Sequence, residues 1–366
     1  MEPLKYMYDR KFVIHFAGIA KDVLPSFSDE DFVTAVMAAG WDDLELKQRV
    51  DRLSTALHQV LSGDFRKDVT VVVAFANAVM DRTGRENTFE YIFLPGFVAL
   101  YGVEYPDESL RAMEVLTRLS SCEFAIRSFL IKYTERTIGE MLKWTKHSHP
   151  SVRRLASEGC RPRLPWGVAL PLFKKDPSMI LPILESLKDD PSDFVRRSVA
   201  NNLNDIAKDH PDIVLSIAGR WKGSSTDTDR LIRHACRNLL KKADPAALAL
   251  FGLTTSPGCR VEELKLSSRN IRIGDTLHFS FQLRTNHNHN GPLRLEYVVT
   301  YAKAYDKFSE KVFQITEGEF KAGQAINFNR KQSFADMTTR KHYPGVHRIA
   351  VSVNGVPMAN ASFLLE

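Results

Sequence analysis

Between Ser151 and Gly167 the chain reads SVRRLASEGCRPRLPWG, four arginines and one tryptophan around a single carboxylate, Glu158. Val152, Leu155 and Ala156 fall at i, i+3 and i+4, an apolar stripe that can face a core. Arg154 and Glu158 share the opposite side of that helix, one turn apart. Gly159 is expected to end the helix, and CRPRLPWG to follow as a stiff, basic loop carrying one indole. Two more acids keep similar company. Glu123 lies four residues before Arg127, and Arg197, Asn201 and Asp205 run i, i+4, i+8, while Glu158 also lies three before Arg161. As pairs within a helix such neighbours contribute only about 0.2–0.5 kcal/mol, and arginine N-terminal to the acid is the weaker orientation. Acids on a face meant for phosphates weaken it, so these call for another purpose.

The elements that must position these residues read as a helical array. Residues 1–117 carry net charge −7, residues 118–245 +8 and residues 246–366 +5. The positive charge is thus concentrated around the acids, as a polyanion binder requires. Solvated arginines without a ligand are the plainer alternative.

The first part is helical: LELKQRVDRLSTALHQVL places Leu46, Val50, Leu53, Leu57 and Leu61 on one face, and Pro95 is expected to interrupt FEYIFLPGFVALYGVE. No catalytic constellation is visible there. From Ser109 to about Leu253 an aliphatic residue repeatedly precedes arginine, at Ile126-Arg127, Val152-Arg153-Arg154, Val195-Arg196-Arg197 and Ile232-Arg233. Each is followed by a second amphipathic segment. Spacings of 26, 43 and 37 residues between the aliphatic anchors exclude a strict repeat but fit the two-helix unit of a HEAT-like α-solenoid. Stacked pairs are expected to line one groove with the arginines.

After Pro257 the texture changes to short alternating segments such as TLHFSFQLRT, RLEYVVTYAK and HRIAVSVNGV, separated by turns. About seven strands suggest an immunoglobulin-like β-sandwich. Its tips are polar or basic at NHNHN and TTRKHYPGVHR; His287 and His289 are expected to be simply exposed, with no metal. The fold class is therefore mainly α, a solenoid over 1–256 followed by a sandwich over 257–366. The four cysteines, Cys122, Cys160, Cys236 and Cys259, never form CxxC, which fits free thiols in a reducing cytoplasm. No membrane span or signal peptide is legible.

The segments SVRR, ASEGCRPRLPWG, CEFAIR and FVRRSVANNLNDIAKDHPD together resemble the HEAT-like glycosylases of the DNA alkylation repair family, in the AlkC branch with an appended immunoglobulin-like domain. EGCRPRLPWG is the specific part. The tryptophan and aspartate one helical turn apart that mark the AlkD branch are absent from the CEFAIR helix. The resemblance implies a monomeric, monofunctional enzyme without cofactor. It would remove cationic N3-methyladenine and N3-methylcytosine from double-stranded DNA without flipping the nucleotide, acting at the nucleoid when bound. It also implies an active site of Glu158, Glu123, Asp205 and Trp166. An alkylated base already carries positive charge and leaves as a neutral group, so carboxylates are needed for the sugar cation and the attacking water. Arg127, Arg153, Arg154, Arg161, Arg163, Arg196, Arg197 and Arg233 are then expected to meet phosphates. The competing reading is a non-catalytic scaffold that binds nucleic acid or protein.

Overall fold

The computed structural model describes residues 3–305, 307–337 and 341–366. Its helices, in order, are α1 (Arg10–Val23), α2 (Asp29–Val36), α3 (Leu46–Val60), α4 (Phe65–Thr83), α5 (Phe93–Tyr101), α6 (Pro106–Leu119), α7 (Ile126–Lys132), α8 (Thr134–Trp144), α9 (Pro150–Gly159), α10 (Pro171–Lys175), α11 (Leu181–Leu187), α12 (Asp193–Ile206), α13 (Pro211–Trp221), α14 (Thr226–Ala235), α15 (Arg237–Lys241) and α16 (Pro245–Leu250). The strands are β1 (Cys259–Leu266), β2 (Asn270–Ile271), β3 (Thr276–Thr285), β4 (Pro292–Ala302), β5 (Phe308–Glu319), β6 (Ala325–Ser333), β7 (Gly345–Val353) and β8 (Val356–Leu365). Two compact units result: Met1–Val214 with Arg220–Ala235, and Leu215–Gly219 with Cys236–Glu366.

In the first unit α9 packs on α6, α8, α11 and α12, and α12 packs on α14. The aliphatic anchors do what their pattern demands: Ile126, Val152, Val195 and Ile232 are fully buried. Trp144 and Trp221 are core residues whose indole N–H groups donate to Glu114 and Glu185, both at 2.9 Å. Gly159 ends α9 as expected, and its constraint is proximity: a Cβ there would stand 2.6 Å from Ile126 Cγ2. One expectation is corrected. Pro95 lies in the first turn of α5, where its missing N–H has no helical partner to lose, so the helix runs on unbroken.

Besides α15, α16 and a stretch of α13, the second unit holds a sandwich of two sheets, β1-β3-β6 and β2-β8-β7-β4-β5. Alternation fills the space between them with Phe279, Phe281, Leu283, Leu295, Val299, Ile349, Val351 and Phe363, leaving no need for a disulfide. The VNGV segment is a two-residue turn with Asn354 and Gly355 both at positive φ, which pairs Val353 with Val356 and starts β8, one strand more than the seven or so expected. Arg294 is buried between Glu296 (2.6 Å) and Glu317 (2.8 Å). His287 is exposed as expected, but His289 is not: it is buried, with Nδ1 3.0 Å from the Pro257 carbonyl. Of the basic tip TTRKHYPGVHR, residues 338–340 lie outside the described residues.

Burial holds the pKa of His347 below the usual histidine value of 6.5, although its ring meets the Tyr343 carbonyl at 3.0 Å. An unfolded chain therefore takes up a proton near pH 6.5 that the folded sandwich refuses. Stability is complete above that pH and falls as pH drops below it. Thermal melts between pH 8 and 5 should show this loss, and His347→Phe should flatten it.

Candidate active site

The three predicted acids are strung together by arginines. Glu123, in the turn before α7, takes Arg154 Nη1 on Oε2 at 2.8 Å and the Ser121 hydroxyl on the same oxygen at 2.8 Å. Arg154 Nη2 reaches Glu158 Oε1 at 3.6 Å. Arg161 Nη1 donates to that same Glu158 oxygen at 2.6 Å, and its Nε donates to Asp205 Oδ2 at 2.9 Å. Lys208 Nζ closes the row on Asp205 Oδ1 at 3.1 Å. Acid and base alternate six groups long, with three charges of each sign. The Arg154–Glu158 and Glu158–Arg161 contacts are made at the spacings read from the sequence, and Lys208, three residues after Asp205, adds a contact the sequence reading did not name. The others cross between the α7 turn, α9, its following loop and α12.

Burial grades this row. Glu158 is 4 % exposed and Asp205 2 %, so both charges survive there only because they are paired. Glu123 is half-buried and lines a cleft of about 210 Å³ with Asn87, Phe89, Ser121, Phe124, Arg154 and Phe194. The Arg154 guanidinium lies over the Phe194 ring, 4.6 Å from its centroid. Glu123 is thus the acid that reaches open space, with Glu158 one guanidinium behind it.

Trp166 stands in a neighbouring cleft of about 250 Å³ that shares Phe89, Ile92, Ser121 and Phe124 with the first. Its indole is 59 % exposed and meets Phe89 edge-on at 6.3 Å. The backbone of Trp166 is left-handed, φ +65°, and its carbonyl accepts from Lys47 Nζ at 2.6 Å. Strain of this kind persists only where surroundings impose it. Lys47 on α3 and Phe194 on α12 were missed from the sequence, because nothing local marks a lysine 119 positions away as a partner of the loop.

The eight arginines do not share one role. Arg127 is corrected from phosphate contact to loop staple: it is 1 % exposed, and its donors go to the carbonyls of Gly159 (3.0 Å), Arg161 (2.9 Å) and Val168. Burial, above all, lowers its pKa to about 10, which leaves it charged at neutral pH. A Cβ on Gly167 would stand 3.1 Å from Leu164 Cδ2 and 3.2 Å from Arg127 Cδ and Nε, so the staple and the loop's own leucine both favour glycine here. Arg153 grips Asp190 through Nε (2.6 Å) and Nη2 (3.0 Å) and the carbonyls of His147 and Ser148. Arg196 takes the carbonyls of Asp190 (2.6 Å) and Pro191 (3.0 Å) and pairs with Asp227 at 3.1 Å. These three, each directly after an anchor, hold inter-helix turns together. Arg154 and Arg161 belong to the acidic row. Arg163 forks onto Asp209 (2.7 and 2.9 Å), exposed Arg197 pairs with Asp193, and Arg233 is half-buried on α14.

The staple makes a prediction. Arg127→Met should strand three carbonyls and cost about 2–4 kcal/mol locally. Trypsin should then cut after Arg163 in the variant at a protease dose that spares the wild type.

Among the described residues no group of three or more His, Cys, Asp or Glu side chains is placed to hold a metal ion, and no helix is long and apolar enough to cross a membrane. The cysteines are reduced thiols, with Cys122, Cys160 and Cys236 buried.

Comparison with known proteins places the chain in a family. Residues 120–242, which hold the whole acidic row, match the family described as DNA alkylation repair enzyme. Residues 260–366 match the C-terminal Ig-like domain of the uncharacterised protein YhaZ. The YhaZ protein of Bacillus subtilis (strain 168) is 39% identical over 355 residues, 97% of each chain. The structure is similar to that of Pseudomonas fluorescens AlkC, an alkylpurine DNA glycosylase bound to DNA containing an abasic site analog. The TM-score is 0.92 and the identity 36%, over all of both chains. Matched over 97% and 100% of its length by these two, this chain belongs to the DNA alkylation repair family, in the AlkC branch that joins a helical solenoid to an immunoglobulin-like domain.

Proposed function

We propose that this chain is a monofunctional DNA glycosylase of alkylation repair. It hydrolyses the N-glycosidic bond of cationic N3-methyladenine and N3-methylcytosine in double-stranded DNA, without turning the nucleotide out of the duplex. The observation that carries this is the buried row of three carboxylates, one of which opens into a cleft beside an exposed indole. The coarser part, an alkylation-repair glycosylase, has the support of a full-length likeness to AlkC, whose bound DNA resembles what remains after a base has gone.

In the reaction the C1′–N bond breaks with its electron pair passing to the base, which cancels the positive charge there. The sugar becomes cationic, a water oxygen adds to C1′, and the water proton goes to a carboxylate and then to solvent. Glu123, half-open to the cleft, meets the sugar first. Arg154 holds both Glu123 and Glu158, so a phosphate that draws this guanidinium frees two negative charges together. Asp205 keeps Arg161 in place behind them. The indole of Trp166 favours a cationic base over a neutral one by about 1–2 kcal/mol when desolvated.

DNA is positioned by the arginines that remain near the surface, Arg163, Arg197 and Arg233, each exchanging or extending its present contacts for phosphates. Residues 1–256 act as the glycosylase domain, and the sandwich, residues 257–366, adds affinity. The protein works as a monomer at the nucleoid.

The test is chromatography of the bases released from methylated duplex DNA. Both alkylated bases should appear, and borohydride should trap no protein–DNA adduct. Tight binding with no release would make the chain a scaffold instead.

A further inference from the structure

We infer that the cleft beside the indole receives the base once its bond has broken, so that the protein binds free alkylpurine as a product. This rests on the glycosylase reading above, and it assigns a role after bond cleavage to the cleft in which Trp166 stands. The walls contributed by α3 and α5 are apolar, with Leu46, Val50, Ala99 and Leu100 among them, and two aromatic surfaces, Trp166 and Phe89, stand where this cleft meets that of Glu123. A departing base therefore has a continuous path from the sugar to a π-face, walled by Phe89, Ile92, Ser121 and Phe124.

One polar feature orients the occupant. Asp51, on α3 at the exposed mouth, makes no hydrogen bond or ion pair among the described residues. Its surroundings already disfavour the charge: partial burial pushes its pKa up, and Lys47 only partly counters this. Lys47 is engaged elsewhere, on the Trp166 carbonyl. A lone carboxylate accepts hydrogen bonds and repels phosphate. The matching ligand is planar, apolar on its faces and carries N–H donors at its edge. A methylated adenine has all three properties, whereas a nucleotide adds a phosphate that this carboxylate repels. A base retained there no longer competes for the sugar cation, so hydrolysis is not reversed at the site.

The fluorescence of Trp166 reads this directly, because the other three tryptophans, Trp41, Trp144 and Trp221, are at most 6 % exposed. Free 3-methyladenine titrated into the DNA-free, full-length protein should quench saturably. Asp51→Asn, a surface change that keeps the fold, should weaken this binding about ten-fold, the loss of one hydrogen bond to a charged acceptor. Ala99→Phe should fill the cleft and abolish the saturable part. A linear, unsaturable quench of the wild type overturns the inference, as does saturation unchanged in both variants. Base binding without excision from methylated DNA would sink the glycosylase reading; excision without base binding would sink this inference alone.

Discussion

Glu123→Gln should slow base release about 10²–10³-fold, with DNA binding unchanged or slightly tighter. Glutamine keeps the shape and an oxygen to accept from Arg154, so the loss is one of charge. The row around it holds three acids and three bases. Removing one acid therefore leaves a net cation at the place where the proposed reaction builds a sugar cation. The same substitution removes a group that repels phosphates, which is why affinity holds or rises. Glu158→Gln should behave alike, since the same arginine links the two acids. Single-turnover release followed by chromatography, beside DNA affinity from fluorescence anisotropy, separates the effects. A Glu123→Gln enzyme with full turnover would remove this residue from the mechanism.

Arg161→Met should destabilise the fold by about 3–5 kcal/mol, because it leaves Glu158 and Asp205 buried with their nearest cation gone. For a helical unit of this size that lowers the melting temperature by roughly 10 °C. The diagnostic is the combined variant. Arg161→Met with Glu158→Met and Asp205→Leu replaces charge by packing, and should recover most of the lost stability while remaining inactive. If Arg161→Met melts like the wild type, the row contributes nothing to the fold. Stability and catalysis would then be separable at this residue.

Much of this architecture was legible in the residue order. The four aliphatic anchors and the change of texture after Pro257 gave the solenoid and sandwich, since burial periodicity is a local property. The acids Glu123, Glu158 and Asp205 stood out because each broke a cationic pattern. What could not be read was partnership. Spacing alone pairs Glu123 with Arg127, yet the chain turns Arg127 inward and hands Glu123 to Arg154 of α9. A periodicity says which face a side chain takes, not which of two arginines on neighbouring helices lies closer. For the same reason the loop staples looked like phosphate contacts, a guanidinium satisfied by carbonyls being written with the same letter as one waiting for DNA. The role of α3 stayed hidden because Lys47 and Asp51 sit in an ordinary amphipathic helix, and only folding brings the RPRLPWG loop to them.

Asp190 has a consequence beyond its own turn. Its carboxylate is forked by Arg153 of α9 and caps the N–H of Ser192, while its carbonyl is taken by Arg196 of α12. Two successive repeats are thereby clasped at one residue. Local fluctuations that release one clasp release the other, so α9 and α12 should exchange their amide hydrogens as a single cooperative block. A damaged base is then met by a scaffold that yields all together or not at all, rather than helix by helix.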